Sequence, residues 1–159
     1  MSELSTNSEP SPLAAALVPA EALRAYLRRR QDGDDIEGSR QRCRTLVGFI
    51  REAWHVLEPS TPYVHGWVID ALARHLEAIT SGRLLELGLE NRFLANVPPG
   101  TLKSLGTSVF WPAWEWGPAG QPHLRYLTAS YAQDYAIRDC RKMRDLVASD
   151  WYQARWPVA

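Results

Sequence analysis

The sequence predicts an α/β protein in which helices precede a unit of strand, loop, helix, strand and helix. Apolar residues first recur every three or four positions, over 39–57 and 65–79, which is the period of an amphipathic helix. Two short apolar runs bounded by turn-forming residues follow at 92–97 and 124–129, and such runs are typical of buried strands. Two strands separated by a helix favour a parallel sheet.

The N-terminal residues predict a leader and a first helix. Residues 1–18 are rich in Ser, Pro and Glu and then in Ala, which is typical of disorder. Pro19 suits the first turn of a helix that ends near Gly33. The acidic start does not resemble a secretory signal, and the apolar run 13–18 is shorter than the roughly 20 residues of a membrane helix. We therefore expect a soluble, cytoplasmic protein.

Two more helices are predicted before the first strand. Ser39 suits the N-cap of a helix that continues to about Leu57. The helix over 65–79 is followed by Gly82, a residue that commonly ends helices. Residues 19–90 therefore predict a helical region.

The second half of the chain predicts the α/β unit. The strand over 92–97 runs into a loop at 98–100, and a helix follows over 103–115. The second strand, over 124–129, leads into a long polar helix over 133–148.

Composition excludes several classes of protein. The chain of 159 residues is long enough for one domain, and its 18 basic and 18 acidic residues give no net charge. A protein that binds nucleic acid through overall charge is therefore excluded. Two cysteines are too few for a disulfide scaffold. The chain has seven tryptophans but only two lysines, Lys103 and Lys142.

One of the two lysines follows a loop whose pattern is typical of phosphate binding. The loop comes after a predicted strand and leads into a predicted helix, so its backbone N–H groups would face an anion. Lys103 would contact the phosphates of a nucleotide, and Ser104 would hold Mg²⁺. The candidate binding residues are Pro99, Gly100, Thr101, Leu102, Lys103 and Ser104. A proline-rich turn with a solvated lysine is the alternative interpretation.

Two stretches of the sequence resemble a known family. They are NVPPGTLKSLGTSVFWPAWEWGP at 96–118 and LRYLTASYAQDYAIRDCRKMRDLVASDWYQARWP at 124–157. Both resemble the large terminase subunit of tailed bacteriophages and prophages, the motor and nuclease that packages viral DNA.

The resemblance implies a fold, a ligand and partners. The expected fold is an additional-strand P-loop ATPase, so 91–159 becomes a truncated core of that type. The expected ligands are ATP and Mg²⁺, with Trp54, Tyr63 and His65 near the base. The expected partners are the small terminase subunit, the portal protein, double-stranded DNA and, in the full-length form, further copies of the chain, all in the bacterial host cytoplasm.

The chain departs from the family in three respects. Leu102 stands where many relatives have Gly, and no Arg lies between Asn96 and Ser104 to act as a finger. The Walker B acid, the catalytic Glu and the nuclease domain of the family come after the matched region. We therefore expect nucleotide binding without hydrolysis, and we assign no catalytic residue. Two alternatives remain: a non-catalytic module that binds the small terminase subunit or portal, and an unrelated helical protein.

Overall fold

The computed structural model of the chain describes Arg24 and residues 35–157. The chain divides into two compact units, Met1–Asp35 and Ile36–Ala159. Of the first unit, only Arg24 and Asp35 are described, and both are helical. The predicted leader at 1–18 and, apart from Arg24, the predicted helix between Pro19 and Gly33 lie outside the described residues.

The described residues form helices joined by turns and extended segments. The helix α5 is continuous over 103–116 and contains a π-helical segment, Gly106–Phe110. None of the described helices is both long and apolar enough to cross a membrane. In chain order the helices are α1 (35–42), α2 (Leu46–Leu57), α3 (Trp67–Thr80), α4 (Arg83–Glu86), α5 (103–116), α6 (Gln133–Ala148) and α7 (Asp150–Gln153).

The predicted α/β fold with a P-loop NTPase core is wrong. The part of the chain that the structure describes has no strand and no sheet, and both predicted strands, 92–97 and 124–129, are extended but unpaired. A strand needs a neighbouring strand to satisfy its backbone N–H and C=O groups. The backbone of residues 92–98 forms no hydrogen bond with the backbone of any other described residue.

The two extended segments pack against helices with every second side chain. In the first, Phe93 stacks on His75 of α3 with ring centroids 5.1 Å apart, whereas the next residue, Leu94, is 93% exposed. In the second, the Tyr126 ring contacts Trp116 of α5 at 5.6 Å, and Leu127 is 98% exposed. The alternation expected of a strand is present. However, the side chains on the inward face of each segment contact helices, and the backbone is not part of a sheet.

The helix predicted from Ser39 to Leu57 is two helices. A turn at 43–45 separates α1 from α2, and Thr45 rather than Ser39 is the N-cap of α2 because its hydroxyl accepts a hydrogen bond from Gly48 N. The turn brings the backbone of Arg42 against Gly48. A Cβ atom on Gly48 would lie 1.9 Å from Arg42 O, so a side chain does not fit there.

The core lies where α2, α3 and α5 meet. Gly106 permits α5 to approach α3 closely, since a Cβ atom there would lie 3.0 Å from a methyl group of Leu72. Tyr152 closes the core from α7, and its hydroxyl donates to Ala113 O at 2.7 Å. The largest buried apolar side chains of the core are Leu46, Phe49, Ile50, Leu76, Val109, Phe110, Leu146 and Tyr152.

Proline explains the irregular turn in α5. Pro112 has no N–H to continue the α-helical ladder. Just before it, Trp111 N bonds to Gly106 O, five residues back, instead of four residues back. The wider turn places Val109 and Phe110 in the core. The start of α5 is thereby anchored on the side of the helix that faces α3.

Candidate functional site

The loop at 98–102 turns the chain from the first extended segment into α5. The loop changes direction twice, and each change requires a residue in the left-handed backbone region. These residues are Gly100, with φ of 84°, and Leu102, with φ of 66°. Between them, the Thr101 hydroxyl donates to Pro98 O at 2.6 Å and closes the turn. The loop is therefore held by its own residues.

Leu102 occupies the position at which many terminases have glycine. It is the only non-glycine residue with positive φ in the described part of the chain. Its side chain packs against the core. A β-carbon in this conformation costs about 1–2 kcal/mol, so the contacts of the leucine side chain offset a strained backbone.

All six residues that the sequence assigned to the site line one cavity. This loop cavity has a volume of about 260 Å³ and is formed by 98–105. Lys103 and Ser104 are exposed at the start of α5. The Lys103 ammonium group forms no ion pair or hydrogen bond with any described residue, whereas Lys142 pairs with Glu58.

A larger cavity of about 420 Å³ lies beside the loop, and we call it the aromatic cavity. The three residues expected near a base, Trp54, Tyr63 and His65, all line it. Trp54 and Tyr63 meet edge to face with ring centroids 5.7 Å apart. The Trp54 indole is fixed by a hydrogen bond from Nε1 to Thr61 O at 2.6 Å.

The aromatic cavity and the loop cavity share a wall. Gly100, Thr101 and Leu102 line both. A molecule that fills the aromatic cavity therefore lies next to the residues that surround Lys103. The structure brings the residues predicted for the base and those predicted for the phosphates into one continuous region.

Three polar side chains form a hydrogen-bonded chain at the aromatic cavity. The Tyr63 hydroxyl lies 3.1 Å from His65 Nδ1, and His65 Nε2 lies 3.0 Å from Asp70 Oδ2. Burial, the largest influence, raises the pKa of Tyr63 above its ordinary value, and Asp70 adds to the effect while Arg51 opposes it. The phenol therefore keeps its proton at neutral pH.

A polar cavity of about 310 Å³ adjoins the other side of Lys103 and Ser104. Thr128, Ser130 and Asp139 line it with them. Ser130 does not cap α6, because the helix begins at Gln133 and its N-cap is Ala132, without a side-chain bond. Ser130 is free to face this polar cavity.

The tryptophans of α5 and the basic residues of α6 are largely engaged by other residues of the fold. The tryptophans of α5 pack, and their indoles donate to Thr80 Oγ1, Cys43 O and Leu124 O. The basic residues of α6 are largely paired, Arg138 with Asp139, Lys142 with Glu58 and Arg144 with Asp145.

Two residues of this region were not predicted from the sequence. Trp67 lines the aromatic cavity at the start of α3 and is 79% exposed. It lies outside the apolar stripe of α3, and a tryptophan on the polar side of an amphipathic helix could have marked it. Asp70 was missed because nothing in the spacing of one aspartate identifies its histidine partner.

Comparison with known proteins gives no assignment. No protein-family model matches the chain, and neither a curated protein nor a solved structure matches it.

Proposed function

We propose that the chain binds ATP, with the phosphates at the loop cavity and the base in the aromatic cavity. The observation that supports this proposal is the shared wall at Gly100–Leu102 next to Lys103, a lysine without a partner among the described residues. An exposed ammonium group beside a cavity lined by a tight loop offers a charge to an anion. The proposal requires a loop and a helix start, and it does not require a sheet.

Each part of the nucleotide would have a defined neighbour. The Lys103 ammonium group would pair with phosphate oxygens, and the backbone N–H groups at the start of α5 would add hydrogen bonds. The base would contact the rings of Trp54 and Tyr63, because aromatic side chains stack on or meet the faces of bases.

Mg²⁺ would enter this site together with the phosphates. Among the described residues, no group of three or more His, Cys, Asp and Glu side chains could hold a metal ion. Mg²⁺ commonly binds through one or two protein groups, substrate phosphates and water. The exposed Ser104 hydroxyl fits that role, and Asp139 is the carboxylate that lines the adjoining polar cavity. The ion would supply charge neutralisation of the phosphates.

We do not expect hydrolysis by this chain. Phosphoryl transfer needs an acid that holds the metal and a group that positions water. The Asp139 carboxylate is already engaged by Arg138 at 2.7 Å. ATP bound here should therefore persist, and phosphate release should stay at the uncatalysed level.

The resemblance to terminases supplies the biological setting of the proposal. We propose that the chain is the N-terminal portion of a terminase large subunit, with the small subunit, the portal protein and double-stranded DNA as partners. The support consists of the two sequence stretches at 96–118 and 124–157. The paired basic residues of α6 lend no support to DNA contact by that helix.

Titration of the purified 159-residue chain with ATP and Mg²⁺ tests nucleotide binding. We expect saturable binding in isothermal titration calorimetry and about 10–100-fold weaker binding by Lys103→Ala, because a hydrogen bond to a charged group contributes about 1.5–3 kcal/mol. Arg141→Ala is the matched control. It removes one positive charge from an exposed position of α6 that lines none of the three cavities.

Two results would contradict the proposal. The first is the absence of ATP binding by the wild-type chain, and the second is equal loss of affinity in Lys103→Ala and Arg141→Ala. Phosphate release that is rapid and depends on Lys103 would contradict the expectation of no hydrolysis.

A non-catalytic interaction module is the second candidate function. It is favoured by large apolar side chains that the described fold leaves exposed, among them Val64, Trp67, Leu94 and Leu127. A pull-down of the full chain with a small terminase subunit tests it. Capture that is lost in Leu94→Ser or Leu127→Ser would support an interaction surface, and no capture would count against it.

A further inference from the structure

The hydrogen bonds of Tyr63, His65 and Asp70 have one consistent direction when the imidazole of His65 is neutral. An ionised aspartate only accepts hydrogen bonds, so His65 Nε2 then donates to Asp70 Oδ2 across their 3.0 Å separation. The neutral imidazole with its proton on Nε2 has a lone pair on Nδ1. In this state the Tyr63 hydroxyl, 3.1 Å from that nitrogen, is the donor.

This assignment determines what Tyr63 can offer to a ligand. A phenol has one proton and two lone pairs, and the proton is committed to His65. What remains on the Tyr63 oxygen is hydrogen-bond acceptance. Because His65 and Tyr63 both line the aromatic cavity, the oxygen between them lies at its wall.

We propose that Tyr63, oriented by neutral His65 and by Asp70, is the specificity-determining residue of the aromatic cavity and selects a purine base that presents an amino group at its 6-position. The inference rests on the proposed function, since it requires that a base enters this cavity. At the corresponding position, adenine presents the N6 amino donor and guanine the O6 acceptor. The Tyr63 oxygen can accept a hydrogen bond from the amino group of adenine. With guanine, two acceptors would face each other, the Tyr63 oxygen and O6, and no hydrogen bond would form.

The geometry around Tyr63 supports this role. The Tyr63 ring is held at one side by Trp54 and at the other by His65, with centroid separations of 5.7 and 6.1 Å. His65 and Asp70 are each more than a third exposed. Their hydrogen bonds therefore add little to the stability of the free protein. A base that covers them would exclude water and strengthen the same bonds.

Competition between ATP and GTP tests the proposal. We expect the wild-type chain to bind ATP about 3–10-fold more tightly than GTP, the range of a single neutral hydrogen bond. Tyr63→Phe should weaken ATP by that factor, leave GTP unchanged and bring the ratio close to one. Tyr135→Phe is the matched control, since Tyr135 is an exposed residue of α6 that lines none of the three cavities.

A second variant keeps the Tyr63 hydroxyl and removes the side chain that orients it. His65→Phe keeps a ring at the position but removes the acceptor, so the Tyr63 proton becomes available to guanine O6. We expect GTP to bind more tightly than in the wild-type chain while ATP binding is retained, which is the reverse of the Tyr63→Phe pattern. Loss of structure alone would weaken both nucleotides equally.

The outcomes distinguish this inference from the proposed function. Equal wild-type affinities for ATP and GTP, both reduced in Lys103→Ala, would overturn the selection by Tyr63 and leave nucleotide binding in place. An ATP preference that survives Tyr63→Phe would also overturn it. Absence of binding by both nucleotides would overturn the proposed function and this inference together.

Discussion

Leu102 keeps a backbone conformation that suits glycine. Its φ of 66° places the β-carbon in a strained position, and its side chain contacts the core from the loop. The contacts of the leucine side chain therefore offset the strain in its backbone. A strained residue at the edge of two cavities is typical of ligand-binding loops.

The strain at Leu102 can be measured by comparing two truncations. Leu102→Ala removes the packing but keeps the β-carbon, whereas Leu102→Gly removes both. We expect the glycine variant to be about 1 kcal/mol more stable than the alanine variant, because only glycine adopts positive φ without penalty. Urea denaturation provides the two free energies of unfolding.

Leu94 is the control for that comparison. It is exposed and has no positive φ, so its alanine variant should be about 0.5–1 kcal/mol more stable than its glycine variant. The same order at Leu94 and Leu102 would contradict the assigned strain.

The candidate site residues were predictable because their signal is local. Proline, glycine, lysine and serine in close succession determine a turn and a helix start from the chain itself. The identity of Asp70 as partner of His65 was not predictable, because it depends on the direction in which α3 leaves Gly66. The backbone strain at Leu102 was likewise invisible in a pattern that lacks glycine there.

At the scale of elements, the turn between α1 and α2 requires glycine at position 48. The Arg42 carbonyl oxygen occupies the space that a β-carbon of Gly48 would need, at 1.9 Å. Since this contact is with backbone, no rotamer change can relieve it. The turn itself would have to open.

Gly48→Ala should therefore destabilise the chain. We expect a loss of about 3 kcal/mol in the free energy of unfolding, the range in which overpacking forces backbone shifts. Gly66→Ala is the matched control, since nothing lies within 4 Å of its added β-carbon and its φ is −152°. We expect that variant to stay within about 1 kcal/mol of wild type in urea denaturation. Equal effects of both substitutions would contradict the assigned requirement for glycine.

Amphipathic helices were the elements that sequence pattern predicted best. The helix over 133–148 was predicted with the bounds that α6 has, and 65–79 differs from α3 by one or two residues at its ends. The strands failed for a physical reason. Alternating burial at 92–97 depends on local contacts, but a strand exists only when a distant segment pairs with it.

At the scale of the whole molecule, a buried carboxylate and a partly buried one, Glu115 and Glu52, make opposite contributions to stability. Burial, the main influence, raises the pKa of Glu115, although Thr80 and Trp111 oppose the shift. The Arg42 hydrogen bond is the main influence that lowers the pKa of Glu52. A raised carboxyl pKa lowers stability as pH rises above the ordinary carboxyl range. A lowered carboxyl pKa contributes stability that is fully present above the ordinary range and is lost as pH falls below it.

Glutamine substitutions at the two positions should change the free energy of unfolding in opposite directions. At pH 7.5 we expect Glu115→Gln to raise the free energy of unfolding by about 1 kcal/mol, because it removes the cost of ionising a buried carboxyl. Glu52→Gln should lower it by about 1 kcal/mol through loss of charged hydrogen bonds to Arg42. Both differences should shrink at pH 4. The Glu115 carboxyl is then protonated in the native chain, and the Glu52 carboxyl begins to gain its proton in the unfolded chain. Urea denaturation at the two pH values checks this, and a Glu115→Gln effect independent of pH would contradict it.

The fold class was the least predictable property of the chain. Short apolar runs separated by a helix occur both in parallel sheets and, as here, in extended segments that cover helices. The resemblance to terminases also favoured a parallel sheet. That inference was wrong because a whole domain determines a fold, and two stretches of similar sequence do not establish it. The packing of Phe93 on His75 and of Tyr126 on Trp116 is what the second interpretation requires.

Under the proposed function, the shared wall at Gly100–Leu102 would make the two cavities act as one site with two parts. Adenosine alone and pyrophosphate alone would each lose translational freedom in order to occupy one half of the site. A molecule that joins the two halves loses that freedom once, and the second half then binds at a high effective concentration. The affinity for the joined molecule should therefore exceed what either fragment suggests, although no residue of the wall contacts the ligand more strongly.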